Sequence, residues 1–119
     1  FEGLTQTCYR YGPFLRAISD AASADEQFEK IWVQFLGAFD DAGISRIEVD
    51  QEQGLIAPFD ARPVAFSLNR LNAYTFIDAF GQRPRRKPKP IQGALARIWI
   101  STLYGAEWCE KGSSSLVRK

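Results

Sequence analysis

The sequence predicts a mainly α fold: about three amphipathic helices around an aromatic core, with one short β-hairpin beside them. Three observations carry this reading. Apolar residues recur at helical spacing in three separate stretches, alternation with a period of two is confined to one short segment, and 13% of the residues are aromatic. A chain of 119 residues, 45% of them hydrophobic, is long enough for one core and too short for two ordinary domains. Residues 1–119 are therefore expected to form a single small globular domain, with a flexible basic tail at about 112–119.

Residues 4–18, LTQTCYRYGPFLRAI, read as two short helical pieces. Gly12-Pro13 divides them, since proline lacks an amide donor and disfavours helix at the residue before it. Ser23-Ala24-Asp25-Glu26 then fits a capping box, in which the Ser23 hydroxyl and the Glu26 carboxylate would satisfy the first free amides of a helix. Beyond it Phe28, Ile31, Trp32, Phe35, Leu36 and Phe39 fall on one helical stripe, expected to be the main wall of the core, with Gly43 as the C-terminal cap.

Residues 44–50, ISRIEVD, alternate as a short strand, and Leu55-Ile56-Ala57 reads as its hairpin partner, stopped by Pro58. A second helical pattern runs from Val64 to Phe80 through Leu68, Leu71, Phe76 and Phe80, and Gly81 ends it. A third runs from Ile91 to Leu103 through Leu95, Ile98 and Trp99, with Gly105 as its terminator.

Between the last two patterns lies GQRPRRKPKP, residues 81–90, with five cations and three prolines. The prolines predict an extended backbone that holds Arg83, Arg85, Arg86, Lys87 and Lys89 outward, with Arg97 one turn into the following helix. Guanidinium and ammonium groups displayed in this way suit phosphate. The run also fits a solvated connector and, with less weight, a nuclear address or a contact for a partner's acidic face.

Charge is divided along the chain. Residues 1–60 hold eleven carboxylates against four cations, net −7, and residues 61–119 hold eleven cations against three carboxylates, net +8. Such a division fits a basic surface for a polyanion, or acidic and basic faces that attract each other within the fold or between copies.

Histidine is absent, which excludes Ser-His and Cys-His nucleophile activation and His-ligated zinc. Two cysteines, Cys8 and Cys109, cannot form a four-cysteine zinc site; they read as two buried thiols in a reducing compartment, with a bridge between them as the alternative that sequence leaves open. No glycine pattern of a nucleotide-binding loop occurs, so no cofactor is expected. Clustered carboxylates at Asp40, Asp41, Glu48, Asp50 and Glu52 leave a Mg²⁺-dependent nuclease as a minor alternative. No apolar run reaches the roughly 18 residues of a membrane span. From the opening Phe1 and the absence of methionine, a processed product or a part of something longer is expected.

Cys8-Tyr-Arg-Tyr-Gly-Pro13, Gly37-Ala-Phe-Asp40 and Gly54-Leu-Ile-Ala-Pro58 occur in an order that resembles the coat proteins of flexible filamentous plant viruses. The aromatic-rich signature around the Phe-Asp pair of those coats is missing, and no family is identified from these pieces. The resemblance implies a helical RNA-binding subunit that polymerises. The expected function is thus a non-catalytic nucleic-acid-binding or assembly domain whose cations at positions 83, 85, 86, 87, 89 and 97 meet phosphate. A protein partner or self-association is expected beside it. The alternative is a protein-interaction module, an effector or a subunit of a larger complex, that binds no nucleic acid.

Overall fold

A computed structural model describes residues 2–116, with side chains as far as Gly105. The described residues fold into five helices and no strand: α1 (Glu2–Arg10), α2 (Gly12–Ala22), α3 (Glu26–Glu52), α4 (Ala61–Phe80) and α5 (Pro88–Leu116). The mainly α class holds, but the element count and the hairpin need correcting.

Gly12 and Pro13 divide the N-terminal stretch into α1 and α2, and Pro13 sits in the first turn of α2, where its missing donor costs no helical hydrogen bond. The start of α3 differs from the expected capping box. Ser23 still belongs to the turn that closes α2, and its hydroxyl donates to the Asp20 carbonyl at 2.7 Å. Capping passes to Asp25, which has extended backbone and accepts the Gln27 amide at 2.8 Å.

The expected strand, residues 44–50, is the C-terminal part of α3, a helix of 27 residues. Ile44, Ile47 and Asp50 are buried at spacings of three residues, so the helix turns them all inward, whereas strand alternation would have put Asp50 on the side away from Ile47. Gly43 lies within the helix, facing the Ala65 methyl group rather than capping the end. The stop comes at Gly54, in the left-handed region at φ 74°, where the Leu55 amide donates back to the Asp50 carbonyl at 2.8 Å. Gln51 Nε2 donates to the Ala57 and Phe59 carbonyls, both at 3.0 Å, and ties the loop after α3 back over the helix end. Ile56 drops into the core, so this segment is a buried loop plug and not a hairpin strand.

Asp60 caps α4 by accepting the Arg62 amide at 3.3 Å, and the Gly81 amide closes it on the Ile77 carbonyl at 2.8 Å. α5 begins earlier than expected, because Pro88 and Pro90 occupy its first turn, whose amides have no helical acceptor in any case. Its backbone also runs through Gly105 to Leu116. The side chains of Trp108, Cys109 and Lys111, and much of the tail expected at 112–119, lie outside the described residues.

α4 is the central element, since it contributes to all three apolar clusters. One joins Ile44, Ile47, Ile56, Ala61, Ala65, Leu68 and Leu103 at the end of the bundle where α3 stops. The second joins Cys8, Phe76, Ala79, Phe80 and Leu95 at the opposite end of α4. Trp32, Leu36 and Ile77 form the third between them. The α3 wall is therefore narrower than its sequence stripe: Trp32 and Leu36 are buried, while Phe28, Ile31, Phe35 and Phe39 stay exposed. No helix of the described residues is long and apolar enough to cross a membrane.

Candidate functional site

The basic loop is shorter than its sequence suggested, residues 81–87, and it does not hold all its cations outward. Arg85 turns in: its Nε donates to the Phe80 carbonyl at 3.2 Å and its guanidinium lies 3.9 Å from the centre of the Tyr9 ring. The Arg86 amide ties the loop to the Ala79 carbonyl at 2.9 Å. Arg83, Arg86, Lys87, Lys89 and Arg97 present exposed side chains, the last two from α5. No such cation is paired with a carboxylate in the described residues; the ion pair that links the acidic and basic halves is Arg70 with Asp40.

The carboxylates of the nuclease reading do not converge. Asp50 is buried and accepts the Tyr104 hydroxyl at 2.7 Å, Asp40 engages Arg70, and Asp41, Glu48 and Glu52 are exposed on α3. No metal-competent cluster of three or more such groups exists among the described residues. The bond to Asp50 holds the Tyr104 phenol above its ordinary pKa of 10.0.

A different feature has the character of a binding site. Between α1, α2, α3 and α4 lies a cleft lined by Cys8, Leu15, Trp32, Phe39, Ala73 and Phe76, with Phe35 at its edge. Its free volume is about 30 Å³, the space of one water molecule. On the other side of Trp32 and Phe35 the same wall faces an outer apolar groove of about 130 Å³, bounded by Phe14, Ile18 and Ile31. Trp32 and Phe35 stack with ring centres 5.7 Å apart, and Phe35 meets Phe39 edge-on at 5.2 Å. Trp32 and Phe35, with Leu15, line both spaces. Burial pushes the Cys8 thiol up to about 11, so it faces the cleft as a neutral apolar group.

Polar ties frame the cleft without entering its lining. Arg70 Nη1 donates to both Asp40 oxygens at 2.7 and 2.8 Å, and Asn69 Nδ2 donates to Asp40 at 2.8 Å and to the Leu36 carbonyl at 2.9 Å. These bonds fix α3 on α4. Trp99 Nε1 donates to Asn72 Oδ1 at 2.8 Å and fixes α5 on the same helix. The sequence pattern held one signal of the cleft: six large apolar residues from Phe28 to Phe39 are more than a core stripe needs, and of the exposed ones Ile31, Phe35 and Phe39 line the cleft or the groove. The roles of Ala73, Asn69 and Asn72 carried no local signal.

A family model described as "Transcriptional regulator EthR, C-terminal domain" matches residues 1–105. No curated protein sequence matches the chain. The domain so described is the ligand-binding and dimerisation part of a regulator, and contact with nucleic acid belongs to a separate N-terminal domain. This overturns the phosphate-contacting role expected for Arg83, Arg85, Arg86, Lys87, Lys89 and Arg97, and with it the RNA-coating subunit implied by the short coat-protein resemblance. The alternative of an interaction module stands closer. With the match extending over residues 1–105, which take in α1 to α4 and the first part of α5, the chain belongs to the family of the EthR transcriptional regulator C-terminal domain.

Proposed function

We propose that this domain is the non-catalytic effector-sensing and self-association half of a transcriptional regulator. It takes up a small neutral apolar ligand in the cleft between α1, α2, α3 and α4, and it pairs with a second copy through α4 and α5. The family supports both roles, since such C-terminal domains self-associate and bind small molecules. The observation that carries the ligand reading is the cleft itself, lined by apolar side chains and a neutral thiol, with Phe35 and Phe39 of that lining also exposed to solvent. A lining without charge selects against ionic ligands by desolvation.

The inner space is too small for a ligand as it stands, so uptake requires the Phe35 ring to swing toward the outer groove. Binding energy would then be coupled to the position of α3, a helix that spans the length of the bundle. A series of neutral alkyl phenyl ethers tests this reading. Affinity is expected to rise about fourfold per added methylene, the equivalent of about 0.8 kcal/mol, until the opened space is filled. Ala73→Trp, which fills the inner cleft, is expected to abolish the trend. A flat series, or one that Ala73→Trp leaves intact, contradicts the reading.

Leu71 and Tyr74 on α4 and Ile98 and Ile100 on α5 remain exposed in a single copy, and they supply the apolar surface for pairing. The chain is expected to sediment as a dimer, and Leu71→Asp with Ile98→Asp to give a folded monomer. A monomeric parent chain, or a dimer indifferent to both substitutions, would remove this part of the proposal.

A further inference from the structure

α3 carries two apolar faces, and the fold uses only one of them. Trp32, Leu36, Ile44 and Ile47 are buried against the rest of the bundle. A second row, Phe28, Ile31, Phe35, Ala38, Ala42 and Val49, runs along the same helix in alternating steps of three and four residues, with Ser45 completing it. Every member of this row is exposed, Ile31 by 54% and Val49 by 45%. A row with that period keeps facing a single partner helix over its whole length, here about 30 Å at the helical rise. The large side chains lie at the N-terminal end, where Phe14 and Ile18 of α2 join Ile31 and Phe35 around the outer groove of about 130 Å³, room for one large apolar side chain. Ala38, Ala42 and Ser45 follow, and their small size lets the backbone of another helix come close.

The flanks of the row are unequal. On the Trp32 side lies α2, whose Leu15 and Ile18 pack against Trp32, and further along that side Arg46 stands 3.4 Å from its own Asp50. The other flank is formed by Gln27, Gln34, Asp41 and Glu48, seven residues apart and all exposed. It holds no cation and becomes acidic toward the C-terminal end. Charges at such flanking positions decide which helix pairs with which. A second copy laid antiparallel along the row would set this flank against itself and meet no opposite charge there, whereas a helix with cations on its flank would meet Asp41 and Glu48.

We propose that this face of α3 is a docking surface for a basic amphipathic helix of another protein. Large apolar side chains of the incoming helix cover the row from Phe28 to Val49, one of them entering the groove beside Phe14, and its Lys or Arg residues pair with Asp41 and Glu48. The surface is separate from the α4 and α5 face assigned to pairing, and docking needs no ligand in the inner cleft. It therefore holds or fails independently of both readings above.

The probe is a synthetic helix of matching length with Leu at both inward positions of each heptad and Lys on both flanks, whose like charges keep it from pairing with itself. Fluorescence anisotropy of the labelled probe, titrated with the full chain, is expected to show saturable binding, roughly tenfold or more tighter than that of the same helix with Glu on its flanks. Ala42→Arg, at an exposed position in the middle of the row, is expected to weaken binding of the Lys helix by roughly tenfold or more. Asp41→Lys with Glu48→Lys is expected to invert the preference between the two helices. Leu71→Asp with Ile98→Asp, on the pairing face, is expected to change neither affinity. Helical circular dichroism establishes that each variant is folded. Absence of saturable binding, equal affinity for the two helices, or unchanged affinity in folded Ala42→Arg overturns the proposal. So does a smaller assembly for Ala42→Arg than for the parent chain in sedimentation velocity, which would assign the row to a second copy.

Discussion

Asp40→Ala is expected to destabilise the domain by about 2–4 kcal/mol, because it removes the acceptor at the centre of the joint between α3 and α4. The Asp40 carboxylate takes three hydrogen bonds from Arg70 and Asn69, and its side chain is only 16% exposed. Truncation leaves a guanidinium at 24% exposure without its counter-charge and frees one amide bond of buried Asn69. Asp40→Asn keeps the volume and one acceptor, so its cost should fall between the variant and the parent. Arg70→Ala loses the same pair along with the contact of its guanidinium 3.7 Å from the Phe66 ring centre. In a double-mutant cycle measured by urea unfolding, Asp40→Ala and Arg70→Ala are expected to couple strongly. Additive costs would mean that the pair contributes nothing as a pair.

Gly12→Ala is expected to cost about 1–3 kcal/mol through overpacking. A methyl group at Gly12 would meet the Phe80 backbone, with its carbonyl carbon at 2.6 Å and its Cβ at 2.7 Å. Neither neighbour can yield easily, since Phe80 is fully buried, stacks on Phe76 at 5.7 Å and ends the central helix. Gly37, inside α3, has nothing within 4 Å of the same added methyl. Gly37→Ala is thus expected to stabilise by up to about 1 kcal/mol through helix propensity alone. Thermal unfolding of the two variants checks the contrast, and similar effects at both positions would contradict the described approach of α2 to the end of α4.

The sequence disclosed the helical class and the break at Gly12-Pro13, because both rest on local chemistry: apolar spacing and a missing proline donor. It misled at residues 44–50, where Ile44, Ile47 and Asp50 serve a helical face while neighbouring residues happen to alternate. Gly43 looked like a helix end, yet it faces Ala65 inside α3, and Asp40 just before it is held by Arg70 from α4, both contacts that only the tertiary fold creates. The basic loop was legible as charge but not as geometry. Arg85 rests on Tyr9, a ring far away in the chain, and Pro88 and Pro90 start a helix instead of preventing one.

The candidate site was partly legible. Surplus aromatic residues on α3 announced that its apolar face was wider than the core, but that reading assigned all six to the interior. Only the packing of α2 and α4 separates Trp32 and Leu36, which are buried, from Phe35 and Phe39, which border a cleft. Function was the least legible, since a loop rich in cations invites phosphate, whereas the apolar cleft that the family's ligand-binding role favours is assembled from four helices.

The most direct measurement is a crystal structure of the chain with a neutral alkyl phenyl ether bound. The account predicts the ligand between Trp32, Phe39, Ala73 and Phe76, with the Phe35 ring displaced into the groove beside Phe14 and Ile31. A ligand seated outside the helices α1 to α4, with the Trp32–Phe35 stack undisturbed, would contradict it.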